Sequence, residues 1–165
     1  MDSIDGKHIL MTEQISYTQM KSDAFYEVKH FLKRHKQASA SRTDFIYLVR
    51  HGQTLIGVAR VIPQVDLSMN DSTPCFWLRG LFITEPQRKQ GIASHLLKRV
   101  QKSLSKSHKD FVLVAFPYQH LAQFYQKNGY QATSHNALPL ELMNRYQSAL
   151  DNRKNWLCMH LTKLG

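Results

Sequence analysis

A chain of 165 residues is the size of one ordinary domain and long enough to bury a sizeable hydrophobic core. Its hydrophobic fraction of 42% and charged fraction of 21% sit near globular averages, while a formal net charge of +10 is unusually basic. No apolar run approaches bilayer-crossing length and no basic-then-apolar leader opens the chain. The expectation is a soluble, cytoplasmic protein with no membrane partner.

Two cysteines, Cys75 and Cys158, are too few and too far apart for a disulfide framework. Each lies in an apolar run, which predicts buried reduced thiols. No Cys/His group has zinc-ligand spacing, so no metal is expected. The positive charge favours polyanions, whether nucleic acid, membrane phosphates or a phosphate-rich small molecule, without choosing among them. Basic residues gather at Lys29, Lys33, Arg34 and Lys36, and again at Lys98, Arg99, Lys102, Lys106 and Lys109. A solvated helix face accounts for each group equally simply.

In chain order, Ser22 to His35 carries Phe25, Val28, Phe31 and Leu32 at helical spacing, and the polar stretch Gln37 to Thr43 ends that helix. Phe45 to Val49 and Leu55 to Ile62 read as strands flanking His51-Gly52-Gln53, a hairpin. A loop rich in Asp, Ser, Asn and Pro runs from Pro63 to Pro74. Cys75 to Thr84, CFWLRGLFIT, is an almost continuous apolar run and predicts a central strand. Beyond Glu85-Pro86, residues Ile92, Leu96, Leu97, Val100 and Leu104 repeat at helical intervals. Phe111 to Phe116 is a second buried strand, stopped by Pro117. His120 to Lys127 predicts a short helix capped by Asn128-Gly129. A helix over Leu140 to Leu150 and a strand over Trp156 to Thr162 complete a mixed α/β single domain spanning residues 1–165.

The informative unit is Leu78 to Val100, where a buried strand enters a turn holding Arg88, Gly91 and Ala93 and the turn opens a helix. The first turn of a helix has N–H groups without internal partners at the positive end of its macrodipole. Small residues such as Gly91 and Ala93 let an anion approach those groups, which suits a phosphate or pyrophosphate. A tight turn and a good helix former explain the same two residues without any ligand. Neither a G-x-G-x-x-G fingerprint nor a Walker loop is present.

With these residues the sequence resembles the Gcn5-related N-acetyltransferase (GNAT) superfamily. That family carries R/Q-x-x-G-x-G/A between a central strand and a helix, matched by Arg88-Lys89-Gln90-Gly91-Ile92-Ala93. Its next helix ends in a pattern like A-x-x-F-Y-x-x-x-G-F/Y, against which this chain sets Ala122, Phe124, Tyr125, Gly129 and Tyr130 in order. The close resemblance covers about a third of the chain. It implies a mixed, largely antiparallel central sheet with two splayed central strands, flanked by helices. It further implies that acetyl-CoA, the acyl donor, lays its pyrophosphate on the N–H groups of Lys89 to Ser94. Cofactor-binding residues would then be Leu81, Phe82 and Ile83, pairing strand-like with the pantetheine arm, with Arg88, Lys89, Gln90, Gly91, Ile92, Ala93, Ser94, Gln119 and Tyr125. A backbone N–H of the central strand would face the acetyl oxygen.

The implied reaction is direct attack of a neutral amine on the thioester. It needs a path for the ammonium proton, stabilisation of the tetrahedral oxyanion and an acid for the departing thiolate. Tyr125, at the family's tyrosine position, is the candidate acid, although an aromatic packing role fits it too. The base is less clear. His120 could relay a proton, but a histidine at a helix start commonly sits on the surface. Glu85, at the strand's exit, Glu141 and Asp66 are weaker candidates. Gln119 stands where the family often has asparagine, so the amide survives with one more methylene. Tyr118 either lines the acceptor pocket or packs at the strand end.

The resemblance implies an N-acetyltransferase acting on a primary amine of a small molecule, peptide or protein, as a monomer or homodimer. A non-catalytic coenzyme A sensor of the same fold is one alternative. A nucleic-acid-associated acyltransferase is another, with nucleic acid the less favoured partner: no RNP pattern, zinc-finger spacing or clear helix-turn-helix accompanies the charge.

Overall fold

The computed structural model describes residues 14–64 and 73–164. A mixed seven-stranded sheet is formed by β1 (Ile15–Gln19), β2 (Phe45–His51), β3 (Thr54–Gln64), β4 (Cys75–Ile83), β5 (Phe111–Ala115), β6 (Gln131–Ala132) and β7 (Met159–Lys163). Its spatial order is β1-β2-β3-β4-β5-β7-β6. β1 runs antiparallel to β2, β4 parallel to β5, and β7 antiparallel to both β5 and β6. Four α-helices occur among the described residues: α1 (Phe25–Arg34), α2 (Ile92–Ser107), α3 (Ala122–Lys127) and α4 (Leu140–Asp151). No helix among the described residues is long and apolar enough to cross a membrane.

The chain forms two compact units, one from described residues 14–60 and 80–99, the other from 61–64, 73–79 and 100–164. In the first, α1 presents Val28, Phe31 and Leu32 at i, i+3 and i+4, the spacing that puts them on one face. That face buries against Ile46 and Leu48 of β2 and Leu55 and Val58 of β3. Each large aliphatic removed from water contributes about 1.5–3 kcal/mol, which outweighs the modest intrinsic helicity of a ten-residue segment. Glu27 in the first turn and Lys33 and Arg34 in the last complement the macrodipole. In the second unit, Trp77 of β4, Val114 of β5 and Leu142 of α4 form the core, with Phe116 and Leu138 packed on it.

Three helices end in the same hydrogen-bonded motif. At α1 the Gln37 N–H donates to Leu32 and that of Lys36 to Lys33, at 2.8 and 3.1 Å. At α3, Tyr130 donates to Tyr125 and Gly129 to Gln126, at 3.0 and 3.1 Å. At α4, Lys154 donates to Ala149 and Arg153 to Leu150, at 2.8 and 2.9 Å. These are Schellman closures, which require a left-handed residue just past the cap. Lys36 (φ 56°) and Arg153 (φ 57°) occupy that position at α1 and α4, and Gly129 (φ 94°) at α3. The cap expected at Asn128-Gly129 is therefore present, and the other two stops lack the glycine that would advertise them.

Other expectations need correction. The last strand begins at Met159, three residues after Trp156. The Trp156 carbonyl accepts from the Tyr146 hydroxyl at 3.2 Å, its ring stacks on Phe116, and it makes only an isolated bridge to Tyr118. Phe116 leaves β5 one residue earlier than expected, drawn into that ring cluster. Cys158 is buried as expected, and burial pushes its thiol up to about 11, but Cys75 is only partly buried. The short strands β1 and β6 were not anticipated. Asp66 lies outside the described residues.

A left-handed conformation costs an L-residue about 1–2 kcal/mol, part of which glycine returns as extra unfolded-state entropy. Lys36→Gly and Arg153→Gly should therefore each raise stability by about 0.5–1 kcal/mol. Their effects should add, since neither pair of caps shares a partner. Thermal melting of the two single variants and the double variant measures this.

Candidate functional site

The first unit contains the turn that the sequence marks for an anion. β4 leaves the sheet at Ile83, and the Thr84 N–H still reaches back to the Ile56 carbonyl at 2.8 Å. A 3-10 turn over Glu85–Gln87 follows, with Pro86 in its opening positions, and Gln87 and Arg88 donate to Thr84 and Glu85. The chain then enters left-handed conformations at Lys89 (φ 64°) and at Gly91 (φ 78°). Left-handed residues set into a turn rotate backbone N–H groups toward a common concavity, an arrangement that binds anions. A non-glycine residue held left-handed beside a helix start is local strain of the kind that gathers at binding sites.

The His95 N–H donates to the Gly91 carbonyl at 3.1 Å and is the first bond of α2. The N–H groups of Ile92, Ala93 and Ser94 therefore precede the helical ladder, at the positive end of a 16-residue helix whose first turn carries no acid. A Cβ added at Gly91 would meet nothing nearer than the His95 ring at 4.0 Å. The space over this residue is open, so glycine is required there by backbone conformation and not by crowding. Arg88, Lys89 and Gln90 are exposed around it. The Arg88 guanidinium is already oriented, its Nε donating to the Ile83 carbonyl at 2.8 Å while it lies 5.4 Å over the Phe82 ring. One of the carbonyls expected to meet a pantetheine arm is thereby engaged by the protein itself.

Leu81, Phe82 and Ile83 occupy the last positions of β4. The register between β4 and β5 runs from Cys75 to Leu78 and ends there. Two residues later, Gly80 adopts φ 66°, a break in regular strand geometry. The 81–83 segment thus carries backbone groups outside that ladder on the β5 edge. Gly80 lies against Arg60 of β3, an arginine only 1% exposed.

The second unit holds the remaining candidates. Gln119 and His120 belong to a 3-10 turn, Gln119–Leu121, and both are exposed. The Gln119 N–H donates to the Asn155 carbonyl at 3.1 Å. The His120 ring stacks on Tyr118 at 5.9 Å, and Tyr118 is itself 52% exposed. Tyr125 is different. It is buried at 7% exposure, edge-on to Phe124 at 5.2 Å and to Tyr130 at 5.3 Å. Burial pushes its phenol up to about 12. The Schellman closure of α3 explains the spacing of this group. It sets Tyr130, the second residue beyond the cap, over Tyr125 in the last turn, the contact that accompanies the motif. The Tyr130 hydroxyl is buried with no hydrogen-bond partner among the described residues, and burial raises its pKa strongly, with the neighbouring Tyr125 adding to the effect.

The acidic candidates are placed less suggestively. Glu85 is exposed in the 3-10 turn, and Glu141 pairs loosely with Arg145 at 3.5 Å in solvent. Among the described residues no His, Cys, Asp or Glu group could hold a metal ion. Arg60 is not marked in the sequence, since a lone arginine in VARVI carries no motif, and Tyr130 enters there only as the last residue of the family-like pattern, with no role of its own.

Several solved structures share this fold at low sequence identity. N-acetylglutamate synthase from Neisseria gonorrhoeae, complexed with coenzyme A and N-acetyl-glutamate, superposes with a TM-score of 0.64 at 17% identity. The match covers 90% of this chain and 35% of the synthase, so the chain spans about a third of that protein's length. Arabidopsis thaliana Naa50, in complex with the bisubstrate analogue CoA-Ac-MVNAL, gives 0.61 at 16% identity, covering 88% of this chain and 97% of its own. The ribosomal-protein-S18-alanine N-acetyltransferase from Escherichia coli gives 0.59 at 14%, covering 92% and 96%. No curated protein sequence matches this one. Residues 12–138, well over half of the chain, match the family described as acetyltransferase (GNAT) domain. Matched to this family over most of its length, the chain belongs to the GNAT acetyltransferases.

Proposed function

We propose that this chain acts as one acetyl-CoA-dependent N-acetyltransferase domain, passing an acetyl group to a primary amine by direct attack on the thioester. The observation that carries the reading is the turn from Arg88 to Ser94. Two left-handed residues, open space over Gly91 and unladdered N–H groups at the start of a long helix suit a pyrophosphate. Arg88 and Lys89 add positive charge at its rim. The backbone of Leu81 and Phe82, beyond the last β4–β5 pair, is suited to hold an amide-bearing arm in strand fashion. The known neighbours bound to coenzyme A or a coenzyme A analogue support the same donor.

Tyr125 is the group we assign to the departing sulfur. With its pKa near 12 the phenol keeps its proton throughout the working range. Full transfer to a thiolate of ordinary basicity, with a pKa near 8.5, would run uphill by about 5 kcal/mol. The magnitude favours hydrogen-bond donation to the developing negative charge over complete proton transfer at that step. His120, exposed and stacked on Tyr118, is the proposed relay for the acceptor's proton. The acceptor class, amino acid, peptide or protein, follows the range seen among the neighbours.

Calorimetric titration with acetyl-CoA, run beside a free-thiol release assay over a panel of amines, tests the reading. Micromolar binding with amine-dependent thiol release is expected. Binding without release for any amine would favour the sensor alternative, and absence of binding would overturn the assignment. Gly91→Val should weaken acetyl-CoA binding by about tenfold or more, because its side chain enters the space left for the anion, and should also lower the melting temperature by several degrees, because a β-branched residue must hold φ 78°.

Tyr125→Phe should lower kcat by about 10- to 100-fold with acetyl-CoA affinity nearly unchanged. The rate should rise with pH as the acceptor amine loses its proton. Tyr125 should impose no alkaline fall below about pH 11, since its folded pKa lies near 12. Initial rates measured from pH 6 to 10.5 on wild type and variant check both statements.

A further inference from the structure

Within the first unit, one charged side chain is buried beyond what its charge favours. Arg60 of β3 is 1% exposed, the bulkiest fully buried side chain among the described residues. Its Nη1 donates to the Ser39 carbonyl at 2.7 Å and lies 3.6 Å from Asp44 Oδ2, too long for a direct hydrogen bond. Asp44 is buried as well, and Oδ2 accepts from the Ser41 N–H at 3.0 Å. A guanidinium so deeply desolvated persists only where its geometry is fixed.

What the rest of the guanidinium faces is the break in β4. A Cβ built on Gly80 would stand 2.8 Å from Arg60 Nε and 2.9 Å from Nη2. The terminus of an arginine normally swings aside at little cost. This one is held by Ser39, by the charge of Asp44 and by burial. The Nε–Nη2 edge of the guanidinium therefore fills the place a side chain would take at Gly80, and Gly80 holds φ 66° against it. The next three residues are Leu81, Phe82 and Ile83, whose backbone the donor arm is proposed to use.

We propose that Arg60 is a positioning residue for the acyl donor. It locks the left-handed break at Gly80 and so sets the direction of the N–H and C=O groups of the 81–83 segment. Asp44 and Ser39 hold the guanidinium in register, which makes the polar loop before β2 part of the same support. A lysine would keep the charge but not the rigid two-nitrogen edge that meets Gly80. This inference rests on the reading of the chain as an acetyl-CoA enzyme, and its test separates the two.

Coenzyme A has a nucleotide end and a pantetheine arm, and 3′,5′-ADP reproduces the nucleotide end alone. The phosphate turn reads the first and the strand segment reads the second. Affinities for acetyl-CoA and for 3′,5′-ADP would be measured by calorimetry, directly or in competition, on the full chain. The proteins are wild type, Arg60→Met, Arg60→Lys and Gly80→Ala, each well below its melting temperature. Acetyl-CoA binding is expected to fall by about tenfold or more in all three variants, with 3′,5′-ADP binding within about twofold of wild type. Arg60→Lys is expected to melt above Arg60→Met without recovering acetyl-CoA affinity, because it restores the charge facing Asp44 and not the shape facing Gly80.

Equal losses for both ligands would overturn the proposal in favour of a purely structural role, as would acetyl-CoA affinity unchanged in the variants. Should Arg60→Met fail to fold, Arg60→Lys and Gly80→Ala carry the comparison by themselves. A wild-type chain that binds neither ligand sinks the proposed function first, and this inference with it.

Discussion

Backbone hydrogen-bonding groups must find partners, and the way this chain releases some of them from its sheet is the constraint around which the candidate site is organised. β4 pairs in register with β5 from Cys75 to Leu78, and the pairing then stops although the strand continues to Ile83. Gly80, left-handed between the two stretches, marks the change. A uniform strand would have spent every N–H and C=O on its neighbours and left nothing for a ligand. The protein can afford the break because the same segment stays anchored on its other side, where Thr84 reaches the Ile56 carbonyl and Phe82 packs with the α1 core.

The turn that follows works by a related economy. Left-handed Lys89 and Gly91 bring the chain to a helix start whose first N–H groups precede the ladder and whose first turn contains no carboxylate. Positive potential comes here from backbone dipoles as well as side chains, which is the form of positive charge least screened by mobility. Arg88 illustrates the distinction. Its guanidinium is committed in part to the Ile83 carbonyl, so it braces the strand's exit as well as adding charge. The excess of basic residues elsewhere in the chain finds no explanation in this turn.

The aromatic groups of the second unit follow from helix termination. A closure at Gly129 and Tyr130 is what brings the two tyrosine rings edge to face at 5.3 Å. Packing them together removes both hydroxyls from bulk water and drives both pKa values upward. Lys36 and Arg153 close the other two helices with the same hydrogen bonds. At these points ordinary side chains are held left-handed by the closure itself, at a cost that glycine would avoid.

The α1 face, the central strand, the turn at Arg88 to Ala93 and the glycine cap at α3 could all be read from the sequence. Each rests on local chemistry: a 3.6-residue period, an unbroken apolar run, a small residue at a helix start, a glycine where the chain must turn left. The family resemblance drew on the same local residues. The ends of elements were less legible, because Trp156 and Phe116 are drawn into a ring cluster that no window of sequence contains. Arg60 was invisible as anything but a polar residue in a strand. Its burial, its bond to Ser39 and its fit against Gly80 join segments about twenty residues apart on either side. Sequence by itself determined what each segment prefers and which anion-binding turn it can form. Only the tertiary structure decided which backbone groups lie beyond the β4–β5 pairing and which charge is buried beside them, because both depend on contacts between segments distant in the chain.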